Sequence, residues 1–151
     1  EIVNIIKQKY LENRKILVLS DRRQHCNDIK KLLGDDYSIG LYLGGMKNEQ
    51  LQESNTKRII IATYSMASEG YDNPDLDTLI LATPKSKVEQ AIGRILRKEN
   101  DNEPEVIDFF DSYSIFNNFY NCRKKFYISK KFIEKQKPKD EITLDKYSFI
   151  E

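Results

Sequence analysis

The sequence predicts an open α/β sheet, mostly parallel, of five to six strands with helices on both faces. Three observations carry this. Short, nearly continuous apolar runs recur along the chain, as in KILVLS (15–20), KRIIIAT (57–63) and TLILAT (78–83). Such runs suit strands buried on both faces of a parallel sheet. Segments with helical spacing separate them, and no internal repeat or low-complexity tract breaks the alternation.

In chain order, EIVNIIKQKYLEN puts Ile2, Ile5, Ile6 and Tyr10 at helical spacing. KILVLS reads as the first strand. RRQHCNDIKKLLG follows as a helix with Gly34 as its C-cap. SIGLYLGG (38–45) is a second strand running into a Gly-Gly turn, and NEQLQES a short helix. KRIIIAT and TLILAT are the third and fourth strands, the latter stopped by Pro84. SKVEQAIGRILRKEN is a helix with Ser86 as N-cap and Glu89 at the capping-box position. PEVIDFFD (104–111) is a fifth strand. SIFNNFYNCRKKFYISKKFIEKQ reads as one long amphipathic helix closing a domain over residues 1–136. Residues 137–151 read as a C-terminal tail with room for a short strand.

At 151 residues the chain is long enough for one domain with a proper core. Charged residues make up 32% of it, yet the net charge is only +1, so global charge gives no pointer to nucleic acid. The hydrophobic share of 39%, with 11% aromatic, fits a globular protein. Cys26 and Cys122 lie far apart without ligand spacing, which predicts two free thiols and no metal site. No apolar run approaches about 18 residues, and the N-terminus lacks a signal-peptide pattern. A soluble cytoplasmic protein is expected, and the missing initiator Met points to a fragment of a longer chain.

In open α/β sheets ligands bind beyond the carboxyl ends of the strands. Those ends read SDRRQH, GGMK, ATYSMASEGYDNP and ATPKSK, the last leading into the helix with Gln90, Arg94 and Arg97. Hydroxyls, glycines and cations of this kind suit phosphate. Taken singly, each has a plainer reading. Ser20 with Asp21 can be a helix N-cap, His25 a surface residue, and an arginine pair a solvated helix face.

Together they narrow the choice. ATYSMASEGYDNPDLDTLILATP (62–84) followed by QAIGRILR (90–97) resembles motifs V and VI of superfamily 2 helicases, in their second RecA-like domain. ILVLSDRR (16–23) is similar to the motif IV strand and loop. The resemblance runs from about residue 1 to 133. Its wording is nearest the branch found in large DNA viruses, whose poxvirus member is a transcript-release DNA helicase.

The resemblance implies a RecA-like fold and an ATP-dependent motor acting on nucleic acid, with DNA favoured and transcription as the setting. ATP and Mg2+ would be held mainly by an N-terminal RecA-like domain of the same chain. Arg97 would be the arginine finger, with Arg94 its partner on the γ-phosphate. Gln90 would bond near the phosphates, and Gly93 would permit close helix approach. Gly70 would allow a tight turn and Asp72 would accept from the ribose, with Glu69 in place of the basic residue often found there. Thr63, Ser65, Ser20 and Arg22 would donate to the nucleic-acid backbone. Gly44, Gly45 and Lys47 form a weaker candidate track. The location would be cytoplasmic, at a viral replication site or in a virion.

No G-x-x-x-x-G-K-[ST] and no D-E-x-[DH] occurs, so half of an ATP site is expected elsewhere and the fragment alone should be inactive. The basic residues 123–125 and 130–131 are interleaved with Phe126, Tyr127 and Phe132. They read either as the wet face of an amphipathic helix or as a patch for nucleic-acid backbone. A dinucleotide oxidoreductase fails for want of G-x-G-x-x-G after the first strand. A non-catalytic nucleic-acid-binding or interaction module that retains the fold is the alternative.

Overall fold

The computed structural model describes residues 1–69, 71–83, 85, 88–95, 102–109, 114–130, 132–136 and 144–149. For 90, 94, 95, 114–120, 132–136 and 144–149 the description is of the backbone. The order of elements is α1 (Ile2–Leu11), β1 (Ile16–Ser20), α2 (Arg23–Leu33), β2 (Ile39–Tyr42), α3 (Asn48–Asn55), β3 (Ile59–Thr63), α4 (Tyr64–Ser68), β4 (Thr78–Leu81), α5 (Glu89–Ile95), β5 (Glu105–Phe109), α6 (Ser114–Ser129), β6 (Phe132–Gln136) and β7 (Leu144–Phe149). The strands form one sheet in the order β2-β3-β1-β4-β5-β7-β6. The first five are parallel, and β7 and β6 extend the sheet antiparallel.

The apolar runs are continuous because alternate residues serve opposite faces. Leu17, Leu19, Ile60, Ala62, Leu79, Leu81 and Val106 pack with Tyr64 and Ala67 of α4, Ala91 and Ile92 of α5, and Tyr127 of α6. Ile16, Val18, Ile59, Ile61, Ile80 and Ile107 pack with Ile5 and Ile6 of α1 and Cys26, Ile29 and Leu33 of α2. Gly34 closes α2 at φ +79, the left-handed region that favours glycine. Among the described residues no helix is long and apolar enough to cross a membrane.

At the C-terminal end one expectation is corrected, and the short strand allowed for in the tail is present. The helix expected to run through residue 136 ends at Ser129, and Phe132–Gln136 is strand β6. The segment read as a tail supplies β7, which lies between β5 and β6 and pairs with both, Val106 opposite Tyr147 and Ile133 opposite Ser148. The pairing that overrides helical spacing in β6 is with β7, the next element of the chain, and it is anchored by the longer-range pairing of β7 with β5.

The two rims of the sheet differ. At the amino rim, buried charges seal the edge. Lys9 Nζ lies 2.9 Å from Glu105 and 2.8 Å from Glu12. Arg14 donates to Thr78 Oγ1 at 2.9 Å and to the Glu103 carbonyl at 3.0 Å. Asp77 accepts from the Lys15 amide at 3.1 Å. At the carboxyl rim the described residues leave a cleft between loops.

Two tests follow from the packing. A Cβ built on Gly40 would lie 2.5 Å from the Ser54 carbonyl oxygen and 2.6 Å from its Cα, where α3 crosses β2. Gly40→Ala is therefore expected to lower stability by about 1–3 kcal/mol, read as a shifted urea midpoint. Burial pushes the Cys26 thiol up from its ordinary value near 9 to about 11, whereas Cys122 is exposed. Cys26 in the folded protein binds its proton more tightly than in the unfolded chain. The stability this confers is intact below about pH 9 and lost as pH rises through about 11. At pH 8 a thiol reagent should label Cys122 quickly and Cys26 only after denaturation.

Candidate functional site at the carboxyl rim

The crossover from β1 leads to one side of the sheet and that from β4 to the other, so a crevice opens between their carboxyl ends. A cleft of about 640 Å³ lies there, lined among others by Asp21, Tyr64, Ser65, Ser68, Lys85 and Glu89.

The loop after β1 is built around Ser20. This residue is fully buried, and its hydroxyl lies 2.9 Å from His25 Nδ1 and accepts the Arg22 amide at 3.2 Å. The N-cap of α2 is Arg22 in extended backbone rather than Ser20 or Asp21. Ser20 thus shapes the loop, and His25 is its partner. Arg22 is exposed, and no bond of its guanidinium is recorded among the described residues. Arg23 donates to the Gly44 carbonyl and ties the β2–α3 turn to the start of α2. In that turn Gly45 is exposed at φ +82, where a side chain would be strained.

After β3, Thr63 is nearly buried and its hydroxyl lies 3.2 Å from that of Ser65, which is exposed in the cleft. Tyr64 donates to the Thr83 carbonyl at 2.8 Å, and burial pushes its hydroxyl far above the ordinary tyrosine range. Glu69 ends α4 on the surface. Gly70 lies outside the described residues. Asp72 is exposed, and its carbonyl accepts from Asn55 Nδ2 at 3.4 Å. Asn73, buried, returns the contact by donating to the Asn55 carbonyl at 3.1 Å. This pairing fixes the loop after Asp72 against the end of α3.

Helix α5 starts at the same rim. Val88, Ala91 and Ile92 bury against the sheet. Gln90 and Arg94 lie on this helix with side chains outside the description, and Arg97 lies outside the described residues. No described residue comes within 4 Å of a Cβ built on Gly93.

Beneath the cleft sits a network that sequence reasoning missed. Arg123 of α6, expected in a surface stripe, is buried and 1% exposed. Its Nε donates to Asp108 Oδ2 at 2.6 Å and its Nη2 to Oδ1 at 2.8 Å. Tyr127 donates to Asp108 Oδ2 at 2.9 Å. A third donor, Nη1, reaches the Lys85 carbonyl at 2.6 Å and so holds the β4–α5 loop. Burial pushes the Asp108 carboxyl up against the pull of Arg123. Burial also disfavours the charged guanidinium, but the bonds and charge of Asp108 keep it above the usual arginine value. The available signal was an aspartate inside an apolar strand, which demands a partner. Lys124 and Lys125 lie partly or fully at the surface, as the amphipathic reading expects.

Among the described residues no cluster of three or more His, Cys, Asp or Glu could hold a metal ion. The arrangement suits contact with an anionic ligand along the rim, with an exposed arginine, exposed hydroxyls and a glycine turn side by side.

The family model described as "Helicase conserved C-terminal domain" matches residues 1–99. The chain is 38% identical over 158 residues to "Putative ATP-dependent RNA helicase L396" of Acanthamoeba polyphaga mimivirus, covering 96% of this chain and 30% of that protein. It is 29% identical over 125 residues to "Transcript termination protein A18" of Fowlpox virus, covering 76% of this chain and 27% of that protein. Among solved structures, the C-terminal domain of the DEAD-box protein Dbp5 superposes with a TM-score of 0.61 at 14% identity, over 83% of this chain and 79% of that one. The fold is thus RecA-like, and the chain spans about a third of the length of these two viral relatives.

Arg123→Leu would strand Asp108 as a buried charge. Such a break costs about 3–5 kcal/mol, to be measured by chemical denaturation. Arg123→Leu with Asp108→Leu should cost clearly less, because no charge is left alone.

Proposed function

Since the chain belongs to the helicase conserved C-terminal domain family, we propose that it is the second motor lobe of an ATP-dependent superfamily 2 helicase or translocase. The observation that carries this reading is convergence. The loop after β1, the segment after β3, the connection from β4 and the start of α5 line one cleft at the carboxyl rim, and Arg23 ties the turn after β2 beside it. ATP is the substrate, hydrolysed between this lobe and a companion N-terminal lobe that supplies the phosphate loop and the Mg2+ site.

Phosphoryl transfer spreads negative charge over the γ-phosphate oxygens. Arg97 is the arginine finger in this reading and Arg94 its partner, arriving when the cleft between lobes closes. A cation that meets the phosphate only in the closed state ties closure to turnover. Gln90 bonds near the phosphates, and Gly93 leaves the outer side of α5 free for the facing lobe. Asp72 accepts from the ribose, and Glu69 and Gly70 belong to the same nucleotide-side segment in this reading. Arg22, Ser65, Thr63 and the Gly45 turn grip the backbone of a nucleic-acid strand, with Ser20 holding the loop in shape. Such contacts position without reading bases. The sequence resemblance favours DNA, whereas the mimivirus relative is named for RNA; phosphate contacts serve either.

The isolated 151 residues should show no ATPase activity. In the full-length protein, Arg97→Ala should leave ATP binding intact while nucleic-acid-stimulated turnover falls by roughly 10³–10⁵-fold. Turnover near the wild-type rate in that variant would remove the arginine from the reaction.

A further inference from the structure

We propose that Asp21 and Lys85 are positioning residues that form a resting latch between the nucleic-acid loop after β1 and the connection to the arginine-bearing helix α5. The latch sets how strongly nucleic acid stimulates ATP turnover. This rests on the motor reading above and deepens it.

The β1 and β4 loops are joined across the crevice at two points. The Asp21 amide donates to Thr83 Oγ1 at 2.9 Å, and the Asp21 carboxylate lies 3.4 Å from Lys85 Nζ. Lys85 is held from the other side. Its carbonyl takes the buried Arg123 donor at 2.6 Å, and its ammonium stands 5.2 Å from the Tyr64 ring centroid. Tyr64 in turn bonds the Thr83 carbonyl, so the loop after β3 joins the same junction. Three residues beyond Lys85, Val88 enters the core and α5 begins. One half-exposed ion pair therefore lies where three rim loops and the root of α5 meet.

Asp21 stands between Ser20 and Arg22. A backbone phosphate held by Arg22 brings negative charge beside the Asp21 carboxylate and competes with it for Lys85. Repulsion between the two anions weakens the hold of the carboxylate on the ammonium they face. The phosphate thus loosens one of the two ties on Lys85; the bond from Arg123 to its carbonyl stays and serves as the pivot about which the root of α5 follows closure of the lobes. A ligand shifts an equilibrium only by its differential interaction with the two states, and here that difference is the exchange of one carboxylate for one phosphate. A half-exposed pair limits the effect to about fivefold.

The test measures ATP turnover of the full-length protein without nucleic acid and with saturating single strand. Asp21→Asn and Lys85→Gln should each raise the unstimulated rate by up to about fivefold and leave the saturated rate unchanged. The double variant should go no further than either single, as for one shared contact. Asp21→Glu, which keeps the charge, should behave as wild type. General damage to the fold would lower both rates, so the gain separates a latch from a scaffold. Unstimulated rates that stay level or fall in both single variants, or effects that add, overturn the latch while leaving the motor reading standing. A wild-type protein whose turnover does not respond to nucleic acid overturns both.

Discussion

The geometry of the open rim depends on a single buried ion pair. Asp108 sits near the carboxyl end of β5 and Arg123 one turn before Tyr127 on α6, and together they bind the last helix to the parallel sheet. A lone charge in that position would be strongly unfavourable, so each residue obliges the other to be present. Because the same guanidinium also grips the Lys85 carbonyl, helix α6, on the same face of the sheet as α5, determines where Lys85 stands at the rim. The path from β4 into α5 is therefore fixed by electrostatics rather than by apolar packing alone.

The contrast between rims follows from the same economy of charge. At the amino edge Lys9, Glu105, Arg14 and Asp77 satisfy one another in near-dry surroundings. At the carboxyl edge Asp21, Arg22, Ser65 and Lys85 are exposed or half-exposed, and several bonds there are between loops rather than within them. A rim made of loops tied to loops keeps its shape while leaving hydroxyls and guanidinium groups available to a ligand. That division, a sealed floor and a responsive upper edge, is what an α/β sheet needs in order to act on anything.

Much of the fold was legible in the sequence because parallel strands buried on both sides declare themselves as apolar runs. Ile16–Ser20, Ile59–Thr63, Thr78–Leu81 and Glu105–Phe109 fall inside the runs that predicted them. The outer part of the sheet was not legible. Phe132–Gln136 continues the helical spacing of α6, and only its pairing with β7 makes it a strand. Arg123 looked like one more surface cation among lysines, since nothing local says that its partner lies 15 residues upstream. The loop architecture was also hidden. Ser20 was expected to face a ligand, and the hydroxyl is instead folded inward onto His25 and the Arg22 amide. Motif spacing names the residues at a rim but not which way each one turns.

The placement of β7 between β5 and β6 bears on how the molecule is made. During vectorial synthesis β5 emerges before the strand that will cover its outer edge, with α6 and β6 intervening. Until then a nascent chain carries a bare row of amide and carbonyl groups along a hydrophobic strand, a template for pairing with another chain. A chain halted after β6 would hold that edge bare and open to pairing with a neighbour.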